Sequence, residues 1–349
     1  MRPRVAVVLF NLGGPDRPEA IRPFLLNLFT DPNILRVPFF VRPILARRIA
    51  RARLLPATAS YAVLGGRSPL LELTRAQAAA LEAQLPDLDA KCFIAMRYWH
   101  PMSDETARAV RDWRPDDVVL LPLYPHYSTT TTGSSLTAWR EAAARAGLVA
   151  DTVTLCCYPT DAGYVAATAA LLDAAHATAR AQLDPAIGLR VLFSAHGLPE
   201  AVVRRGDPYQ WQIEQTAAAV LREVSEPVSD WTVCYQSRAT PQRWIEPSTE
   251  AEIERAARDG VAVLVVPIAF VSDHSETLVE LDVDYRALAA RLGVPGYFRV
   301  PTQNSDIAFI AALARVVRRA RAHGPGLCSH AGGRICPIDR SQCPFGGQP

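Results

Sequence analysis

Residues 273–284 place five carboxylates, Asp273, Glu276, Glu280, Asp282 and Asp284, and one imidazole, His274, within twelve positions, with no Lys or Arg until Arg286. On a helix begun at 273, the spacing puts Asp273, Glu276, Glu280 and Asp284 on one narrow face. Like charges one turn apart repel by a few tenths of a kcal/mol per pair. Two readings stay open. A solvated acidic face tolerates that repulsion, and a ladder of carboxylates about 6 Å apart relays a divalent cation or carries protons to water. His196, in LFSAHGLPE, is the second chemical feature. A lone histidine is more often structural than catalytic, but this one and the acidic run each follow an apolar run. An imidazole facing carboxylates across a gap suits a borderline cation such as Fe(II) or Zn(II). It equally suits a general base with a proton exit.

The elements that must position these groups are short apolar runs. Four occur in the first half (5–12, 91–99, 117–125, 151–159) and four in the second (189–197, 231–237, 261–270, 296–304), with helical patterns between them. Near-continuous apolar strands alternating with helices indicate parallel sheets covered on both faces. The expected fold is α/β, with two Rossmann-like lobes, each a four-stranded parallel sheet flanked by helices, and a cleft between them. The expected domains are 1–160, including a basic and apolar lip over 22–55; 161–305; and 306–349, a C-terminal helix with a cysteine-containing tail. Ligands of such folds bind outside the carboxyl ends of the strands. Asn11, Arg97, Tyr98, His126, His196 and Gln236 fall there.

The apolar fraction of 49% and charged fraction of 21% fit an ordinary soluble globular chain. A formal charge of +2 is near neutral, so bulk charge argues for neither nucleic acid nor membrane, and no nucleic-acid partner is expected. No apolar stretch reaches the ~20 residues of a spanning helix, and no signal peptide is recognised, so a cytoplasmic location is the default expectation. GxGxxG, P-loop, GxSxG and HExxH patterns are absent, which removes the nucleotide, serine-hydrolase and zincin readings. Between Asp31 and Glu72 there are seven Arg and no acid. A helix there sets Ile44, Leu45, Ile49, Ala52 and Leu55 opposite Arg47, Arg48 and Arg51. Such a helix reads either as a membrane-surface element over 36–55, on the inner face of the membrane, or as a helix packed on its own lobe.

Seven ordered motifs resemble those of ferrochelatases: NLGGP (11–15), YAVLGGRSPL (61–70), MRYWHP (96–101), LPLYPHYSTTTTGSS (121–135), SAHGLP (194–199), YQSRATPQRWIEPST (235–249) and PIAFVSDHSETLVELD (267–282). The resemblance covers nearly the whole chain. It implies insertion of Fe(II), as substrate, into a porphyrin held in the cleft, with release of two protons, as a step of haem biosynthesis. Protoporphyrin IX is preferred to coproporphyrin III as the expected substrate. It assigns His196 and Glu276 jointly to catalysis and metal handling. Glu280 lies further along the metal path, with Asp273 and Asp284. Asn11, Leu12, Tyr61, Ser68, Arg97, Tyr98 and Trp244 fall on positions of the porphyrin pocket. Leu12 departs from the Tyr or Met that the family often carries, so only packing is expected of it. The alternatives are a non-catalytic tetrapyrrole or haem carrier, and a chelatase for another divalent metal. Monomer and homodimer are both compatible.

The tail carries Cys328, Cys336 and Cys343 in a C-x7-C-x6-C pattern. Three cysteines in a Gly-rich tail suggest metal ligation with a fourth ligand from elsewhere. Some ferrochelatases hold a [2Fe–2S] cluster on a similar set, which implies a cluster here on these three and one of Cys156 or Cys157. Zinc and a disordered tail are the rivals. Cys92 and Cys234 read as core.

Overall fold

The computed structural model describes residues 2–238 and 242–346. Ala239, Thr240 and Pro241 of the YQSRATPQRWIEPST motif, and Gly347 at the end of the cysteine tail, lie outside the described residues. The strands, in chain order, are β1 (Arg4–Asn11), β2 (Asp89–Met96), β3 (Asp117–Pro122), β4 (Asp151–Leu155), β5 (Leu189–His196), β6 (Trp231–Gln236), β7 (Ala262–Pro267), β8 (Tyr297–Arg299) and β9 (Gly326–Cys328). β1 to β8 fall in the apolar runs of the sequence, and Val5 to Phe10 and Ala262 to Val266 are almost wholly buried. Such runs are stable only when helices cover both faces of the sheet. The chain divides into two compact units, residues 1–157 with 313–334, and residues 158–312 with 335–349.

The sheet of the first unit is parallel, in the order β2-β1-β3-β4-β9. Four strands were expected; the fifth is three residues of the cysteine tail, pairing Val153–Leu155 with Gly326–Cys328. The sheet of the second unit is also parallel, in the order β6-β5-β7-β8. In each unit the first strand lies between the second and the third, so the strand order reverses there. Asn11 ends the central strand of one unit, and His196 ends that of the other. The carboxyl end of such a strand is where an open α/β sheet leaves a crevice.

The basic helix runs from Arg42 to Val63. Its packed face is not the one the sequence suggested. Ala46 and Ala50 are buried, Leu45 and Ile49 are half-buried, and Ile44, Ala52 and Leu55 are exposed. The small alanines let the helix approach its neighbour Ile21–Thr30 closely, within a cluster that includes Phe24, Leu25, Tyr61 and Tyr98. Among the described residues no helix is long and apolar enough to cross a membrane.

Candidate functional site

In the second unit, β5 is apolar until its last residue and then delivers His196 at the strand end. Gly197 follows because nothing larger fits: a Cβ there would lie 2.9 Å from the Gln236 carbonyl oxygen and 3.2 Å from the Trp244 ring. Trp244, on a bridge to Pro199, is thereby packed beside the histidine's strand end. The His196 side chain remains 36% exposed. Its Nδ1 lies 2.9 Å from Glu276 Oε2.

Glu276 opens a π-helix, Glu276–Tyr285, rather than continuing an α-helix from 273. The i→i+5 register of a π-helix breaks the carboxylate face that 3.6-residue spacing suggested and sorts the acids. Glu276 faces His196, with His274 Nε2 3.9 Å from the same carboxylate oxygen. Glu280 accepts from Gln236 Nε2 at 3.3 Å, from the Ser237 hydroxyl, and from the Tyr285 hydroxyl at 3.0 Å. The Gln236 amide is itself fixed by Ser194, whose hydroxyl donates to Gln236 Oε1 at 2.8 Å. Asp273 and Asp282 are not part of this group. Both meet Arg299, at 3.3 and 2.7 Å, the cation that no nearby sequence position supplied. Asp284 is exposed.

The electrostatics follow from this sorting. Burial disfavours the His196 imidazolium, but the charge and hydrogen bond of Glu276 and the charge of Glu280 outweigh it and raise its pKa above the ordinary value. Glu276 is driven the other way: burial would raise it, but His196 and His274 hold it well below the usual carboxylate range. Glu280 is pushed up to about 7, mainly by burial and then by the Glu276 charge. Burial lowers His274. The arrangement is an imidazole, an anionic partner that orients it, and a neighbouring carboxyl group that binds its proton more tightly than an ordinary glutamate.

The first unit gathers its candidate residues differently. Asn11 is buried, donates from Nδ2 to Thr74 Oγ1 at 3.1 Å and accepts the Leu12 backbone N–H at 2.8 Å. Leu12, Tyr61 and Tyr98 pack in one apolar cluster, and Tyr98 is fully buried. Ser68 closes a loop through its backbone N–H to the Pro15 carbonyl at 2.7 Å. Arg97 is 20% exposed, and its Nη2 donates to Asp31 Oδ2 at 2.8 Å. Tyr98 donates to the same oxygen at 2.8 Å, and Ser134 donates there too while accepting from Arg97 Nε at 2.6 Å. His126 is a core residue whose pKa burial lowers to about 3.

Sequence reasoning missed Asp31, Arg299, Ser237, Tyr285 and the role of His274. Two had signals. Asp31 is the last acid before the basic segment, and Arg299 is the one charge in an apolar strand run, where a buried charge requires a partner.

Cys156 and Cys157 are both buried, with sulfurs 3.4 Å apart. They follow the end of β4 at Leu155, so strand alternation does not turn them to opposite faces. Cys328 lies on β9, its carbonyl accepting the Cys156 N–H at 2.8 Å, and burial, then Cys157, pushes its thiol up to about 11. In the second unit the tail is packed. Gln342 N–H donates to Gly206 O at 3.1 Å, Gln212 Nε2 donates to Cys336 Sγ at 3.2 Å, and Cys343 is buried. Among the described residues no three His, Cys, Asp or Glu side chains are grouped to hold a metal ion.

A ferrochelatase family model matches residues 4–321. The ferrochelatase of Caulobacter vibrioides (strain NA1000 / CB15N) is 51% identical over 348 residues, spanning 99% of this chain and 98% of that protein. That of Pelagibacter ubique (strain HTCC1062) is 40% identical over 344 residues, spanning 97% and 98%. Among solved structures, the sirohydrochlorin chelatase SirB from Bacillus subtilis subspecies spizizenii in complex with cobalt superposes with a TM-score of 0.52 at 11% identity, over 92% of this chain and 96% of that one. The structural likeness establishes a common α/β fold of two parallel sheets.

Proposed function

The chain belongs to the ferrochelatase family, and from that membership we propose how its residues carry the family's reaction. It is a metal chelatase of the lyase type that inserts Fe(II) into a porphyrin in haem synthesis. The observation that carries the assignment of roles is the 2.9 Å contact between His196 Nδ1 and Glu276. With Glu276 anionic, Nδ1 carries the proton and donates, which leaves Nε2 as the basic nitrogen. His196 Nε2 takes the porphyrin N–H protons one at a time, releasing the first to water before it accepts the second. Glu276 stabilises the imidazolium that forms, and with Glu280 it offers carboxylate oxygens to the incoming cation. Trp244 grips the ring through its aromatic face. In the first unit, Tyr61, Ser68, Leu12 and Asn11 shape the pocket wall, and Arg97, backed by Tyr98, meets a porphyrin carboxylate.

Protoporphyrin IX is the favoured substrate over coproporphyrin III. The support is the compensation of Arg97 by Asp31, which leaves less free positive charge for a porphyrin with more carboxylates. The test is an anaerobic assay of purified protein with Fe(II) and each porphyrin, followed by absorbance. Faster insertion into protoporphyrin IX is expected. Faster insertion into coproporphyrin III reverses the preference, and binding without turnover identifies a carrier instead.

Residues 36–55 form a peripheral membrane contact. The support is the exposure of Phe39 (79%), Phe40 (67%) and Leu55 (81%) beside Arg47, Arg48 and Arg51. A [2Fe–2S] cluster on Cys328, Cys336, Cys343 and one of Cys156 or Cys157 is the reading for the cysteines. Its support is the burial of all five thiols. Anaerobically purified protein is expected to be coloured and to contain iron and acid-labile sulfide in the amounts a cluster requires. A colourless preparation lacking both overturns it.

A further inference from the structure

The π-helix that carries Glu276 and Glu280 is a rare local structure, and something must hold it in register. Its Asp282 is tied to β8. Arg299, the last residue of that strand, donates from Nε and Nη2 to the two oxygens of Asp282, at 2.7 and 2.8 Å. Its Nη1 reaches Asp273 Oδ1 and the Val300 carbonyl, both at 3.3 Å. The arginine and Asp273 side chains are only 12% and 15% exposed. Asp273 is gripped from its other side by Asn304, whose amide donates to Oδ2 at 2.9 Å while its carbonyl accepts the Asp273 N–H at 3.0 Å. Tyr297, two residues before Arg299, donates its hydroxyl to the Leu281 carbonyl inside the π-helix at 2.7 Å.

We propose that Arg299 is a positioning residue for the acid pair. By binding Asp273 just before the π-helix and Asp282 within it, Arg299 fixes the register that turns Glu276 toward His196 and Glu280 toward Gln236 and Ser237. It also compensates two negative charges that would otherwise repel both glutamates. Arg299 touches neither His196 nor Glu276 and acts only through the helix it holds. A lysine cannot substitute, because one ammonium cannot make the forked contact and reach a second carboxylate as well. The proposal rests on the chelatase reading for its kinetics alone.

The experiment compares wild type with Arg299→Lys and with Asp282→Asn, which keeps the volume and an acceptor oxygen. Three quantities are read: the KM for Fe(II), porphyrin affinity by fluorescence quenching, and the crystal structure. Arg299→Lys is expected to raise the KM for Fe(II) about tenfold or more, as loss of an outer support does at metal-handling sites, and to leave porphyrin affinity within about twofold. The crystal structure is expected to show Glu276 moved out of contact with His196. Asp282→Asn gives a smaller change of the same kind and decides the matter if the lysine variant does not fold. An unchanged KM with the contact intact overturns the proposal, as does an equal loss of metal and porphyrin affinity, which signals general destabilisation. If wild type itself inserts no metal, the chelatase reading fails, and the position of Glu276 in the variant structures alone decides the role of Arg299.

Discussion

The two units repeat one strand order, 2-1-3-4 and 6-5-7-8, and each ends its central strand on a polar residue. The same position does different work in each. Asn11 is buried, with its amide committed to Thr74 and to the Leu12 backbone. His196 keeps a third of its surface and faces an acid rather than a hydroxyl. The contrast extends outward. Arg97 is held by a buried carboxylate that Tyr98 and Ser134 also reach, so its charge is compensated. Glu276 is met instead by His196, and Glu280 by Gln236, Ser237 and Tyr285, while Arg299 binds other acids. The polar groups of the first unit hold one another in place, and on the reading proposed above those of the second leave charge where a proton and a cation exchange. A common architecture fixes where chemistry can sit, and the residue at the strand end decides whether it does.

Exchanging the comparison for measurements gives unequal effects. His196→Ala is expected to lower Fe(II) insertion by about a thousandfold, the middle of the range for loss of a general base, with the fold retained by circular dichroism. Asn11→Ala is expected to change the rate less than about threefold and to cost about 1 kcal/mol of stability through one lost buried hydrogen bond. Comparable rate losses in the two variants would erase the distinction between the units. Asp31→Asn leaves the Arg97 charge without its partner. It is expected to cost about 2 kcal/mol in denaturant unfolding, less than a fully buried pair because Arg97 is partly exposed, while kcat stays within about threefold. A kcat loss as large as that of His196→Ala would put chemistry in the first unit as well. Replacing Phe39 and Phe40 with Ser is expected to reduce binding to anionic vesicles about tenfold without changing turnover on detergent-dispersed porphyrin. Unaltered vesicle binding would count against the membrane contact.

Much of this was legible in the residues because parallel strands buried on both faces leave long apolar runs that few other structures produce. The strand ends followed, and with them His196 and the acidic run. Short-range spacing could not reveal the π-helix: a pattern read at 3.6 residues per turn assigns Asp273 and Asp284 to a face that the i→i+5 register dissolves. Nor could it reveal the partner of Asp282, which is seventeen residues further on at Arg299. The fifth strand is three residues of a glycine-rich tail, too short to carry a pattern of its own. Tyr98 was read as facing a ligand, whereas its hydroxyl is turned inward to Asp31, a residue with no motif around it.

The pH dependence of turnover tests the central pair most directly. His196 must be neutral to accept a proton, and Glu276 and Glu280 raise its pKa above 6.5. The rate should therefore climb with pH through a midpoint above that value. The stabilisation that the pair gives the fold has the opposite sense, present below 6.5 and lost as pH rises through the raised pKa. In Glu276→Gln the first-named carboxylate partner is gone, so the midpoint of the rate profile is expected to move to lower pH. A midpoint that stays where it is in wild type would contradict the assignment of His196 as the base that Glu276 tunes.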